Sequence, residues 1–229
     1  MVNTPSKPRK PPKRPVPPAP GGKRSRTQPT GRTKLRVDRF LEVATEVFLE
    51  KGYRDTRLTD IVARSGGSLS TLYASFGNKE GLVHAIMELS IRHFGEGLDI
   101  LDNPDLTPAE ALPAAAERLA AEMLSPERTV SHRIIIGEAL AFPELRDWFF
   151  EHGVDPAHVR LAGYFSRHAA TGTLVIEHPD VAARQFYMAA FGETIILTTS
   201  GKVGIYDLDK VRAEARESAE TFLRGILPR

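Results

Sequence analysis

The chain has 229 residues, of which 41% are hydrophobic and 26% charged, with a formal net charge of +2. This length and composition suit one large or two small globular domains with a sizeable core. The absence of cysteine excludes disulfides, thiolate nucleophiles and thiolate metal sites.

The first 36 residues form a basic arm on an acidic body. They hold five lysines, six arginines and no acidic residue, whereas the rest of the chain holds 20 basic and 29 acidic residues. Nine of the 17 prolines also lie there, and such a segment buries too little apolar surface to offset the entropy of ordering. We expect residues 1–31 to be disordered, and we favour a polyanion-binding arm over a solubilising tail.

The basic N-terminus is not followed by an apolar signal-peptide core, and no apolar run approaches ~18 residues. We therefore expect a cytoplasmic protein that is neither exported nor membrane-spanning.

Apolar residues with helical periodicity follow the arm and predict a helix over residues 34–51, ended by Gly52; they are Phe40, Val43, Ala44, Val47 and Phe48. Thr56 is the expected cap of a second helix, which Gly66 stops. Its inward positions are Leu58, Ile61 and Val62.

Two glycines, Gly66 and Gly67, precede a short third helix over residues 68–76. Leu72 and Phe76 lie one turn apart and are expected in the core. Small hydroxyls and one tyrosine are left facing outwards: Ser70, Thr71, Tyr73 and Ser75.

This pair of short helices has the sequence form of a helix-turn-helix. A recognition helix must enter a major groove about 12 Å wide, where small hydroxyls can approach base edges and phosphates. Asn78 is the expected cap of a fourth helix, and Lys79 in its first turn is a candidate phosphate clamp.

The run "VATEVFLEKGYRDTRLTDIVARSGGSLSTLYASFGNKEGL" resembles the N-terminal DNA-binding domain of the TetR/AcrR family of bacterial repressors. It matches the elements F-x-x-x-G-Y, T-x-x-x-I-V-x-x-x-G, T-L-Y-x-x-F and N-K-E-x-L in order. The resemblance implies that Tyr73 and Lys79 bind phosphate and that Thr59 touches backbone or base. It also implies groove-facing side chains at Leu69, Ser70, Thr71 and Ser75.

Three positions depart from the family pattern. Gly67 replaces the usual turn valine and is expected to loosen the turn. Leu69 occupies a groove position that is often a basic residue in the family, and Ala74 replaces an aromatic residue or histidine. Residues 37–79 also contain six basic and six acidic residues, so this domain has no net positive charge. We therefore expect the domain alone to bind DNA weakly and the arm to add affinity, by entering the adjacent minor groove.

The remaining chain predicts helices over residues 79–94, 107–124, 126–141, 144–152, 156–170, 179–200 and 207–226, and no strand. Within it, "HRIIIGEALAFPELRDWFFEHG" resembles a C-terminal segment of some AcrR-type repressors. The predicted fold is all-α, with a basic arm (1–31), a helix-turn-helix DNA-binding domain (32–82) and a helical effector-binding and dimerisation domain (83–229).

The family resemblance and the need to read two half-sites predict a homodimer on a palindromic operator. The interface is expected on two consecutive helices that form a four-helix bundle with the partner's pair. Its candidate residues are Leu161, Ala162, Phe165, Ala182, Ala189 and Gly192.

An apolar or amphipathic small molecule is the expected effector. The candidate lining residues are Met123, His132, Ile136, Trp148, Phe149, Tyr164, Tyr187 and Met188, and Arg133 or Glu138 is expected to orient a polar group of the effector. For each lining residue, ordinary packing in the core is the alternative.

The motifs of common enzymes are missing from the chain. It contains no G-x-S-x-G, G-x-G-x-x-G or P-loop motif, and its seven histidines include no H-x-x-x-H pair. We predict a ligand-released repressor, bound to the nucleoid when on DNA, without enzymatic activity, cofactor or metal. The alternative is a helical interaction module with degenerate or non-specific DNA binding.

Overall fold

The computed structural model describes residues 31–202 and 207–228, and these form helices and turns without a strand. The arm predicted at residues 1–31 lies outside this range except for its last residue. The α-helices are α1 (Gly31–Asp55), α2 (Leu58–Ser65), α3 (Leu69–Phe76), α4 (Lys79–Gly97), α5 (Pro108–Met123), α6 (Pro126–His132), α7 (Pro143–Phe149), α8 (Asp155–Ala170), α9 (Pro179–Thr199) and α10 (Leu208–Arg224).

A 3₁₀-helix, Leu98–Asp102, continues α4, and turns of π-helix follow α6 (Arg133–Gly137) and α7 (Phe150–Val154). The predicted all-α fold is confirmed. Within the described ranges, no helix is both long and apolar enough to cross a membrane.

Local signals position the helix-turn-helix as predicted. Gly52 (φ 75°) breaks the helical run of α1, and Gly66 (φ 72°) ends α2 in the left-handed region that favours glycine. The Ser68 hydroxyl accepts from the Thr71 amide at the start of α3, and Asn78 Oδ1 accepts from the Gly81 amide at 2.7 Å to cap α4.

Two predictions of local structure are wrong. Thr56 does not cap α2: its hydroxyl donates to Gly52 O at 2.7 Å, and Arg57 occupies the cap position. The helix expected over residues 126–141 ends much earlier, because α6 passes into the π turn and the chain then makes a tight turn before Pro143.

The buried apolar residues form two clusters. The head cluster joins α1–α3 and the first half of α4 to α6, α7 and the π turn between them, for example through Ile134 and Leu145. The body cluster joins the end of α4 to α5, α8, α9 and α10. The core of the helix-turn-helix therefore extends past the domain boundary predicted at residue 82, and that boundary stays a prediction.

Candidate nucleic-acid interface and ligand cavity

The outward face of α3 presents small polar groups and one aromatic ring. Ser70 and Ser75 are exposed, Thr71 is half-buried, and Tyr73 is 48% exposed. On the opposite face Leu72 is buried and Phe76 meets the Phe40 ring edge-on, with ring centroids 6.3 Å apart. α3 is thus anchored by its inner residues, and its outer residues remain free for a ligand.

Hydroxyl groups at the start of α3 bind one another. Ser68 Oγ lies 3.0 Å from Ser70 Oγ and 2.8 Å from Thr71 Oγ1, and Ser75 Oγ donates to Thr71 O at 3.0 Å. Each hydroxyl is both a donor and an acceptor. The group can therefore exchange internal hydrogen bonds for bonds to phosphate or base edges without leaving a buried polar atom unpaired.

The turn before α3 is tightly packed. A Cβ added to Gly67 would overlap the Phe40 ring and lie 2.7 Å from its Cε1 atom. The sequence-based expectation of a loosened turn is wrong, because Phe40 fills the space that a larger turn residue would take.

Lys79 lies beside the C-terminal end of α1. Its Nζ donates to Arg54 O at 3.1 Å and to Thr56 O at 2.8 Å, and it sits 4.5 Å from the centre of the Tyr53 ring. Burial lowers the pKa of Lys79. An ammonium has three donors, so two hold the turn between α1 and α2 and one remains for an anion.

The other two predicted DNA contacts sit at helix starts. Thr59 is exposed in the first turn of α2, and Leu69 is half-buried in the first turn of α3.

Much of the positive charge on α1 and α2 is already paired with carboxylates. The pairs are Arg39–Glu42, Lys51–Asp60, Arg54–Glu138 and Arg64–Glu50, with N···O distances of 2.7–2.8 Å. The hydrogen bond from Arg64 lowers the pKa of Glu50. Such pairs reduce the charge available to phosphates.

A cleft of about 680 Å³ opens between the start of α1 and the turn before α3. Arg36, Arg39 and Thr71 line it together with residues 65–68. The sequence analysis did not include Arg36 and Arg39 among the candidate DNA contacts. Their position at the end of the basic N-terminal segment could have indicated a role in binding phosphate.

A second cavity of about 540 Å³ lies between α4, α6, α8, α9 and the π turn after α7. Its wall is mostly apolar, with buried Phe94, Leu98, Leu161 and Ala183. One charged side chain, Arg128, is also buried in this wall.

The predicted ligand residues fall mostly outside this cavity, with Tyr187 and Met188 in its lining. Met123, His132, Phe149 and Tyr164 are buried and absent from the lining, Trp148 stacks on His152, and Ile136 is 53% exposed elsewhere. The four buried residues pack helices together, so for them the core-residue alternative describes the structure better.

Arg133 and Glu138 also serve other contacts. Arg133 donates to Leu49 O of α1 and Thr198 O of α9, each at 3.2 Å, and Glu138 accepts from Arg54 at 2.7 Å. They connect the helix-turn-helix to the remaining helices. Arg128, which does line the cavity, was missed because an isolated arginine in a short helix carries no sequence signal of burial.

The predicted interface residues divide into two groups. Leu161, Phe165 and Ala182 are buried within the chain's own core, which leaves their side chains no free area for a partner and corrects the prediction there. Gly192 is buried too, but its nearest neighbour is Met188 on the outer side of α9, so its place in an interface stays a prediction. Ala162 is half-buried and Ala189 is exposed. Ala189 belongs to an exposed apolar stripe on α9 with Val181, Met188 and Ile196.

Two family profiles match the chain. Residues 40–86 match "Bacterial regulatory proteins, tetR family", and residues 110–225 match "AefR-like transcriptional repressor, C-terminal domain". Together they cover both the helix-turn-helix and the helices around the cavity.

Individual relatives show the same similarity. The HTH-type transcriptional repressor ComR of Escherichia coli is 42% identical over 57 residues, which are 25% of this chain and 27% of ComR. A regulator structure from Mesorhizobium loti has a TM-score of 0.71 at 21% identity, covering 87% of this chain and 100% of the other, and supports the fold. The flavonoid-responsive regulator FrrA has a TM-score of 0.55 at 27% identity, covering 86% and 99%.

Proposed function

Because the chain belongs to the TetR family of bacterial transcriptional regulators, we propose that it is a repressor that binds a palindromic operator as a homodimer. A small ligand in the cavity between α4, α6, α8 and α9 releases it from DNA. The family and its relatives are transcriptional regulators and not enzymes. The site of action is the cytoplasm, on the nucleoid when DNA is bound.

The outward face of α3 carries this proposal. It is narrow, polar and held from behind by Leu72 and Phe40, which suits insertion into a major groove. We assign base and groove contacts to Leu69, Ser70, Thr71 and Ser75. We assign phosphate contacts to Tyr73 and Lys79, and a contact with the DNA backbone or a base to Thr59 at the start of α2.

A dimer follows from the size of the site that one helix can read. One recognition helix contacts few base pairs, whereas two helices about 34–36 Å apart read both halves of a palindrome. The exposed apolar stripe on α9 supports an isologous interface there.

Release by a ligand requires coupling between two sites. Ligand binding favours a half-site spacing that fits the operator less well, and such coupling is typically about 1–3 kcal/mol. The flavonoid response for which FrrA is named supports a small organic effector. Basic side chains of α1 and α2 are paired with carboxylates, which reduces the attraction of these helices for phosphates. The basic arm supplies the additional affinity for phosphates.

A titration of the protein by fluorescence anisotropy tests this function, with its own upstream intergenic DNA and a scrambled control at two salt concentrations. We expect tight, sequence-dependent binding. Tyr73→Phe is expected to weaken binding to every sequence by about 1 kcal/mol, because a phosphate hydrogen bond is lost. Ser70→Ala is the matched variant, and it should change sequence preference instead.

Weak binding to both DNAs with equal salt slopes would favour the alternative, an interaction module that binds polyanions generically. Two observations favour this interaction module, though less strongly than the face of α3 favours a repressor. Basic side chains of α1 and α2 are paired with carboxylates, and apolar Leu69 is half-buried.

A further inference from the structure

Arg128 is a buried cation with an unused donor. Its residue is 5% exposed, and it lines the cavity from α6. Nη2 donates to Ser90 O at 3.0 Å, whereas the buried Nε has no hydrogen-bond partner among the described residues. A guanidinium presents its donors in a planar fork that matches a carboxylate.

No carboxylate in the described part of the chain lies within 4 Å of this guanidinium. Glu122, the nearest acid that influences it, lies 3.9 Å from His93 instead. The neighbours of Arg128 are the rings of Phe94 and Phe149, at 4.8 and 5.8 Å from its Cζ. Aromatic faces attract a cation but do not neutralise it.

The two titratable rings beside Arg128 supply no negative charge. His132 is buried beside it, and burial, followed by the charge of Arg128, lowers the pKa of His132 to about 3 and keeps the ring neutral. Burial raises the pKa of Tyr187, so its phenol also stays neutral. A buried cation without a counter-charge is costly, and a bound anion would remove that cost.

The cavity offers an apolar volume next to this cation. Phe94, Leu98, Leu161 and Ala183 form a buried apolar wall. The lining also carries exposed Asp155 and Arg184, and half-buried Arg160, which is paired with Asp99 and Asp102. A volume of about 540 Å³ is within the range for small-molecule sites.

We propose that the cavity binds an amphipathic organic carboxylate, whose anionic head hydrogen-bonds to Arg128 and whose apolar body packs on Phe94, Leu98 and Leu161. This inference rests on the proposed function, in which the cavity holds the effector, and it specifies the chemical class of that effector.

Decanoate and 1-decanol are the probes, because they share an apolar chain and differ in the charge of the head group. Binding to the full chain is measured by calorimetry and by the fluorescence of Trp148. Trp148 is the single tryptophan and stacks at 4.6 Å on His152 of the cavity lining. We expect decanoate to bind at least about tenfold more tightly than 1-decanol, since a charge-assisted bond replaces an unpaired donor.

Arg128→Met keeps an unbranched apolar side chain and removes the guanidinium charge. It should abolish the preference for decanoate, while Arg212→Met on α10, outside the cavity lining, should keep the preference. Equal binding of the two probes to the unmodified protein, no binding of decanoate, or an unchanged preference in Arg128→Met would each overturn the proposal. The comparison on the unmodified protein holds even if Arg128→Met fails to fold.

Operator binding without ligand, measured in parallel, separates the two proposals. An intact operator complex together with no carboxylate preference would refute the ligand class alone. Carboxylate binding without any operator binding would refute the proposed repressor function.

Discussion

Phe40 and Gly67 together determine the packing of the turn that presents α3. Phe40 is 1% exposed, and its ring occupies the space next to Gly67. A turn that lacks a side chain is usually flexible, but here a neighbouring ring replaces that side chain and holds the turn.

Gly67→Ala should therefore destabilise the fold by about 1–3 kcal/mol, because the added methyl group overpacks against Phe40. Thermal and denaturant unfolding measure this effect. Gly163→Ala on α8 is the control, since the added Cβ would lie 3.7 Å from Arg167 Nη1, an ordinary contact distance, and a helical alanine is favoured over glycine. Equal stability of Gly67→Ala and the parent would show that the ring moves aside freely.

His132 gives the fold a defined sensitivity to acid. Its pKa is about 3 in the folded protein and about 6.5 when unfolded. Between these values the unfolded chain binds a proton that the folded chain excludes, so stability present above pH 6.5 is lost as the pH falls.

His132→Gln should remove about 2 kcal/mol of the stability change between pH 6.5 and pH 5, since one pH unit corresponds to about 1.4 kcal/mol. Denaturant unfolding across this pH range provides the measurement. His178→Gln replaces a largely exposed histidine and should leave the pH slope as it is. If both variants keep the parent's slope, another group carries the acid sensitivity.

At the scale of elements, α4 and α6 link the two hydrophobic clusters. α4 contributes Ile86 to the head cluster and Phe94 to the body cluster. α6 carries Arg128 in the cavity wall, and Arg133 follows it with hydrogen bonds to α1 and α9. A change at the cavity therefore acts on the same short segment that holds α1.

Arg133→Met should lower the free energy of unfolding by about 2 kcal/mol, because two carbonyls lose a charged donor. Hydrogen exchange should become faster at the end of α1 near Leu49 and at the end of α9 near Thr198, but not in α5. Arg212→Met on α10, whose partner Asp209 is exposed, should change stability by no more than about 0.5 kcal/mol. Unchanged exchange in α1 would exclude Arg133 as a structural link.

At the scale of the whole molecule, one side of α9 has no partner among the residues that the structure describes. Val181, Met188 and Ile196 are exposed apolar side chains on this side, with Ala189 between them. The buried candidates Leu161 and Phe165 support these helices from behind and do not reach the surface.

Ala189→Glu should convert the proposed dimer to monomer, raising the dimer dissociation constant at least about 100-fold, because burying an unpaired carboxylate costs several kcal/mol. Analytical ultracentrifugation measures the dissociation constant. Ala213→Glu makes the same change at an exposed position of α10 and should leave assembly unaffected. An intact Ala189→Glu dimer would exclude this face of α9 as the interface.

The sequence by itself determined the helix-turn-helix and most helix boundaries. Gly52, Gly66, Ser68 and Asn78 act on backbone groups only a few residues away, so their effects can be read without knowing the fold. The same local reading was wrong at Thr56, where a competing carbonyl at Gly52 attracts the hydroxyl.

Only the tertiary structure decided where the cavity lies and which charge it contains. Arg128 meets the carbonyl of Ser90 and the ring of Phe94, which lie 38 and 34 positions earlier in the chain. Burial of Leu161 and Phe165 likewise depends on helices far along the chain. Periodicity tells which residues avoid water, but whether they face a cavity, a core or a partner depends on the packing of distant helices.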